Sequence, residues 1–134
     1  DMPFEEREEL QGEAEKNGIY TIFLVAPTSH ERVKMIAEKS KGFLYVVSSL
    51  GVTGMRSEIT TDFNELLAPI RNNDHCPCCI GFGISNPEQA KKMSQYADGV
   101  IMGSAVVKIV EEHSKDAPEY VGKFIESVRE GMDN

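Results

Sequence analysis

The chain is expected to fold as an α/β domain around a parallel sheet. Four apolar runs, at 19–25, 43–47, 78–82 and 99–103, are separated by stretches whose apolar residues recur at helical spacing. The first run, IYTIFLV, is apolar at both parities, which is the pattern of a strand covered on both faces, as strands of parallel sheets are. Strict alternation with short connections means successive βαβ units. The order reads α-β-α-β-α-β-α-β-α-α, and 134 residues suffice for one domain with one core.

Residues 4–16 read as the first helix. Pro3 precedes it, Glu5 and Glu6 sit in its first turn, and Asn17-Gly18 closes it; its apolar face is thin, with Phe4, Leu10 and Ala14. After the run 19–25, Thr28 and Glu31 have capping-box spacing ahead of a helix carrying Val33, Ile36 and Ala37, which Gly42 is expected to end. FLYVV at 43–47 is the second strand. The loop 48–58, SSLGVTGMRSE, has two glycines and no periodicity. A helix with Phe63, Leu66, Leu67 and Ile70 follows, and Pro69 should end or kink it near residue 68.

The third strand spans about 78–82. Ser85 and Glu88 form a second capping box, with Pro87 in the first turn of a helix that shows Ala90, Met93 and Ala97. GVIMG at 99–103 is the fourth strand, and a helix begins at Ser104. The last helix starts near 116–118 and is expected to bury Val121, Phe124, Ile125 and Val128.

The formal charge of −8 argues against nucleic acid, since no basic stripe exists to displace counterions. No apolar run approaches the roughly 18–20 residues needed to span a bilayer, and no signal-peptide pattern opens the chain. Three unevenly spaced cysteines make no secreted disulfide framework, so the expected compartment is the cytoplasm. Asp1 ahead of Met2 is not where translation starts, so the chain is expected to begin mid-protein.

Residues 75–85, HCPCCIGFGIS, bring all three cysteines beside a histidine. In an extended run Cys76 and Cys78 share one face and Cys79 takes the other. A closed zinc site wants four converging ligands, typically with a second ligand pair elsewhere, and redox CxxC motifs start helices. Buried structural thiols are the favoured reading, and no metal is expected. The glycines carry more. Gly81-Phe82-Gly83 follows the third strand and Gly103-Ser104 the fourth, each leading into a helix. Asn86 stands where a dinucleotide fingerprint would have its third glycine. Helix starts present unpaired N–H groups and a positive dipole end, so two adjacent turns of this kind can hold a phosphate without lysine. The plainer alternative is that the glycines only make tight turns.

DMPFEE, LVAPTS, SSLGVTGMR, GFGISNPEQ and DGVIMGSAVVK occur in an order and spacing that resemble the tryptophan synthase α subunit family along essentially the whole chain. The resemblance implies the second half, strands five to eight, of a (β/α)₈ barrel. That family cleaves indole-3-glycerol phosphate to indole and glyceraldehyde 3-phosphate in tryptophan biosynthesis and passes indole to a β subunit. Pyridoxal phosphate belongs to that partner, and no cofactor is implied here. By resemblance, Gly83, Gly103 and Ser104 bind the substrate phosphate. Leu24, Phe82 and Ile101 line the indole pocket, Tyr45 points into the barrel mouth, and Thr53 and Gly54 belong to a lid. Asp1 and Pro3 lie near the β-subunit contact. The family's two catalytic carboxylates lie on and just after the second strand, outside what this chain resembles, so no catalytic residue is assigned. Asp98, Glu58 and Asp1 are poor substitutes. Three readings stay open: the phosphate-binding part of an enzyme, inactive alone; a non-catalytic module for phosphorylated small molecules; or a self-associating half-barrel.

Overall fold

A computed structural model describes residues 2–47, 62–70, 76–81 and 83–133. A 3₁₀ turn, Phe4–Glu6, leads into α1 (Glu8–Lys16). There follow β1 (Phe23–Val25), a 3₁₀ turn Pro27–Ser29, α2 (Arg32–Lys39), β2 (Leu44–Val47) and α3 (Phe63–Leu67). The rest is β3 (Cys78–Gly81), α4 (Pro87–Ser94), β4 (Gly99–Val100), α5 (Gly103–His113), a 3₁₀ turn Ser114–Asp116 and α6 (Ala117–Asp133). The four strands make one parallel sheet in the order β1-β2-β3-β4.

Strand alternation sends one parity of the sheet into the core. Phe23, Val25, Leu44, Val46, Cys78 and Ile80 are buried there against Val33, Ile36 and Ala37 of α2, Phe63, Leu66 and Leu67 of α3, and Ala90 and Met93 of α4. Val128 of α6 joins the same cluster. Each fully buried Val, Leu or Ile contributes about 1.5–3 kcal/mol of transfer free energy, so this layer dominates stability. The other parity is half-open: Leu24 is 51% exposed and Tyr45, Val47 and Cys79 are half-buried. The apolar run at 19–25 was expected to be covered on both faces. Only its last three residues join the sheet; Ile19 and Tyr20 lie outside it, 60% and 63% exposed.

The helix ends differ from expectation in instructive ways. α1 closes as foreseen: Gly18 takes φ +70°, its N–H donates to Glu15 O, and Ile19 N–H donates to Ala14 O, a complete Schellman motif. α2 ends at Ser40, whose hydroxyl donates to Ile36 O, ahead of Gly42. Its expected Thr28–Glu31 box does not form; Ser29 Oγ instead accepts from Ala26 N–H and holds the preceding turn. The cap of α4 is shifted by one residue: Asn86 Oδ1 accepts from Gln89 N–H, and Gln89 Oε1 accepts from Ser85 N–H. Ser85 and Asn86 are equally good cap types, so only the geometry separates them. α3 is capped by Asp62, whose carboxylate accepts from the N–H groups of Asn64 and Glu65, and it stops at Leu67 before Pro69. β4 is two residues long, and Gly103 is already the first residue of α5. On α6, Val128 is buried as expected, but Ile125 is 46% exposed.

Among the cysteines only Cys78 is fully in the core, at 3% exposure; Cys76 and Cys79 are half-buried. Among the described residues no cluster of three or more His, Cys, Asp or Glu side chains could hold a metal. Cys78→Ala is expected to cost about 1 kcal/mol, and the other two alanine substitutions less. Burial first, then the nearby Asp98 carboxylate, pushes the Cys78 thiol up to about 12. The folded value lies above that of an unfolded thiol, so the contribution is complete below the unfolded value. It is lost as pH rises from about 8.5 toward 12. Urea midpoints measured across alkaline pH should fall for the native chain and fall less for Cys78→Ala.

Candidate functional site

The strand register places four residues in one row on the half-open face: Leu24 opposite Tyr45, Tyr45 opposite Cys79, and Cys79 opposite Gly99. Two residues further along each strand, Val47 is opposite Gly81, and Ile101 continues the parity of Gly99. The Ile101 N–H donates to Ile80 O at 2.8 Å and ties the ends of β3 and β4 together. The two glycine turns therefore leave the same end of adjacent parallel strands. That is the carboxyl end, where ligands of β/α folds bind.

Gly83 sits in the turn after β3 at φ +78°, and a Cβ there would meet nothing within 4 Å. Gly103 opens α5, is exposed, and would also carry a Cβ into open space. The α5 start differs from that of α4. The N-cap residue Met102 supplies no side-chain cap, whereas Asn86 and Gln89 occupy N–H groups at the entry to α4. An uncapped start leaves N–H groups and the positive dipole end to a ligand, and the exposed Ser104 adds a hydroxyl beside them. Lys108, one turn further, is paired with Glu112 at 3.8 Å on the outer surface of the helix.

Tyr45 does not stand upright in its row. Its ring runs along the sheet and lies on Gly81, with Cζ 2.6 Å and Cε1 2.8 Å from where a Cβ at Gly81 would be. Burial pushes the phenol above its ordinary value, so the group stays neutral. Gly81 was read from the sequence only as part of a turn; a ring from another strand leaves no room for a Cβ there. Gly81→Ala should force the ring away or shift β3, costing about 1–3 kcal/mol. Tyr45→Ala should recover most of that loss. Thermal melts of the two single variants and the double variant measure the coupling.

The structure puts Leu24, Tyr45 and Ile101 on one parity of the sheet, and Gly83, Gly103 and Ser104 just past the carboxyl ends of β3 and β4. Thr53, Gly54 and Phe82 lie outside the described residues, as do Asp1 and Glu58. Pro3 is exposed at the start of the first turn. The open face between Leu24 and Ile101 carries no aspartate or glutamate in its rows. Asp98 is at the opposite end: its carboxylate accepts from Cys78 N–H at 2.8 Å and its N–H donates to Cys78 O.

The sequence profile described as tryptophan synthase alpha chain matches residues 1–134. A tryptophan synthase alpha chain of a Thermoanaerobacter strain is 48% identical over 132 residues, which is 97% of this chain and 50% of that protein. The Lacticaseibacillus casei alpha chain is 45% identical over 133 residues, again 50% of its length. Among solved structures, Mycobacterium tuberculosis tryptophan synthase superposes with TM-score 0.78 at 34% identity, over 98% of this chain and 49% of that one. The Legionella pneumophila alpha chain gives TM-score 0.78 at 33% identity, over 100% and 50%. The chain spans about half the length of the curated relatives it matches. The sheet corresponds to half of the barrel in these structures, and the match falls in the C-terminal half of the relatives.

Proposed function

We propose that this chain, which belongs to the tryptophan synthase alpha chain family, holds the phosphate end of indole-3-glycerol phosphate and lines part of its indole pocket. The observation that carries this reading is the pair of glycine turns at the carboxyl ends of β3 and β4. Gly83 and Gly103 face open space there, and α5 starts without a side-chain cap. Backbone N–H groups and the Ser104 hydroxyl bind the phosphate, while Leu24, Tyr45 and Ile101 contact the ring.

The reaction we assign to the complete site is a lyase reaction, a retro-aldol cleavage. A base takes the glycerol C1 hydroxyl proton, the bond from that carbon to indole C3 breaks, and an acid delivers a proton to C3. The products are indole and glyceraldehyde 3-phosphate. The described open face offers no carboxylate for either step, so this chain binds and orients and does not supply the acid–base pair. The same observation favours a second reading, in which the chain acts as a binding module without turnover. We further assign it a place in tryptophan biosynthesis in the cytoplasm. Its partner there is a β subunit carrying pyridoxal phosphate, contacted near Pro3; the chain itself takes no cofactor. No helix among the described residues is long and apolar enough to cross a membrane.

Calorimetric titration with inorganic phosphate, then with indole-3-glycerol phosphate, tests the reading. Saturable binding of both, with the second ligand displacing the first, is the expected result. Binding of neither overturns it.

A further inference from the structure

The sheet has a second recess at its other end, where β3 and β4 begin. A cavity of about 300 Å³ opens there between the last turns of α3 and α4. Leu67 and Ile70, both 2% exposed, give it an apolar wall. The half-buried Tyr96 adds a ring, which packs on Phe63 with centroids 5.6 Å apart. Ser94, Gln95 and Asp98 supply polar groups. Asp98 is tied to β3 twice: its N–H donates to Cys78 O at 2.9 Å, and its Oδ2 accepts from Cys78 N–H at 2.8 Å. Its Oδ1 takes no hydrogen bond and meets no cation among the described residues. Lys91 and Lys92, in the last turn of α4, are exposed and pair with no carboxylate there. α4 ends at Ser94, so the negative end of its dipole lies at the same recess. The two ends of the sheet thus have opposite electrical character: N–H groups at the glycine turns, and a carboxylate with helix carbonyls here.

We propose that this cavity is a binding site for a small organic ammonium ion, separate from the phosphate turns and independent of them. The fixed Asp98 carboxylate takes the ammonium head through its free oxygen, aided by the end of α4. Tyr96, Leu67 and Ile70 cover an apolar or aromatic body, and the tyrosine ring adds a face that attracts cations. A metal ion is the poorer occupant, because no three His, Cys, Asp or Glu side chains converge among the described residues. At about 30 Å³ per water-sized group, the volume suits a molecule of roughly ten non-hydrogen atoms.

The test uses three probes of one shape on the whole chain near neutral pH: phenethylamine, phenethyl alcohol and hydrocinnamate. Each is titrated while the backbone amide NMR signals are followed. Phenethylamine is expected to bind saturably and to shift the Tyr96, Ala97 and Asp98 amides together. The alcohol should bind about tenfold more weakly, since it loses the charged bond, and the carboxylate should not bind. Asp98→Asn keeps an acceptor for the Cys78 N–H and removes the charge, so it should bring phenethylamine down to the level of the alcohol. Inorganic phosphate should leave the amine titration unchanged. Equal affinity for amine and alcohol in the native chain, unchanged amine affinity in a folded Asp98→Asn, or competition by phosphate overturns the proposal, as does the absence of saturable shifts at these amides. If Asp98→Asn does not fold, the comparison of amine with alcohol on the native chain decides. Amine binding in a chain that binds no inorganic phosphate retains this site and rejects the turn site.

Discussion

Purified alone, the chain is expected to leave indole-3-glycerol phosphate uncleaved. The cleavage needs one group to take the hydroxyl proton and another to protonate indole C3, and each well-placed group typically supplies about 10²–10⁴-fold. The rows of the described open face hold Leu24, Tyr45, Val47, Cys79, Gly81, Gly99 and Ile101, none of which does this work. Tyr45 has its phenol raised by burial and is a poor base. Asp98 is engaged with the Cys78 N–H at the far end of the sheet. An indole-release assay on material of verified mass should therefore stay at background. Turnover within about tenfold of a full-length relative would mean that an acid–base pair exists in this chain after all.

Gly103→Val is expected to abolish phosphate binding, with the fold intact. A Cβ at Gly103 points into open space, so the branched side chain enters the volume proposed for the phosphate. Gly83 is a less clean probe, because φ +78° strains any substituted residue there. Ser104→Ala removes a hydroxyl bond to a charged acceptor, worth about 1–2 kcal/mol, and should weaken binding several-fold. Lys108→Ala should do less, since Lys108 is paired with Glu112 and the proposed contact to the anion is the helix terminus and not a side-chain charge. Phosphate titrations of the three variants, with circular dichroism as the fold control, give the ranking. Loss of binding in Lys108→Ala with retention in Gly103→Val would refute the helix-terminus mechanism.

The parallel sheet was legible because the apolar runs around Val25, Val46 and Ile80 are short, β-branched and separated by helical spacing. Gly83 was legible as a turn residue because it stands between a strand and a helix, and it takes φ +78°; Gly103, read as the end of the fourth strand, is instead the first residue of α5. What lay on the faces was not. The run at 19–25 is apolar at both parities, yet Leu24 is half exposed, because only the helix-covered face of this sheet is packed among the described residues. Ile125 was placed in the core by its spacing, but α6 meets its neighbours on a narrower stripe that keeps Val128 and leaves Ile125 outside. Gly81 and Gly99 could not be understood from their own segments. The Tyr45 ring from the neighbouring strand leaves no room for a Cβ at Gly81, and Cys79 stands tight against where one at Gly99 would be. Cap positions fail by one residue where two cap formers adjoin, as at Ser85-Asn86, since local sequence does not choose between them.

The central claim is that two neighbouring helix-entry turns together bind a phosphate through backbone N–H groups. An amide NMR titration of the ¹⁵N-labelled chain with inorganic phosphate measures this directly. The account predicts that the Gly83, Gly103 and Ser104 amides shift together along one saturable curve, while the Lys108 amide moves little. Shifts confined to Lys108 and other lysines, or no saturable shift at the two turns, would contradict it.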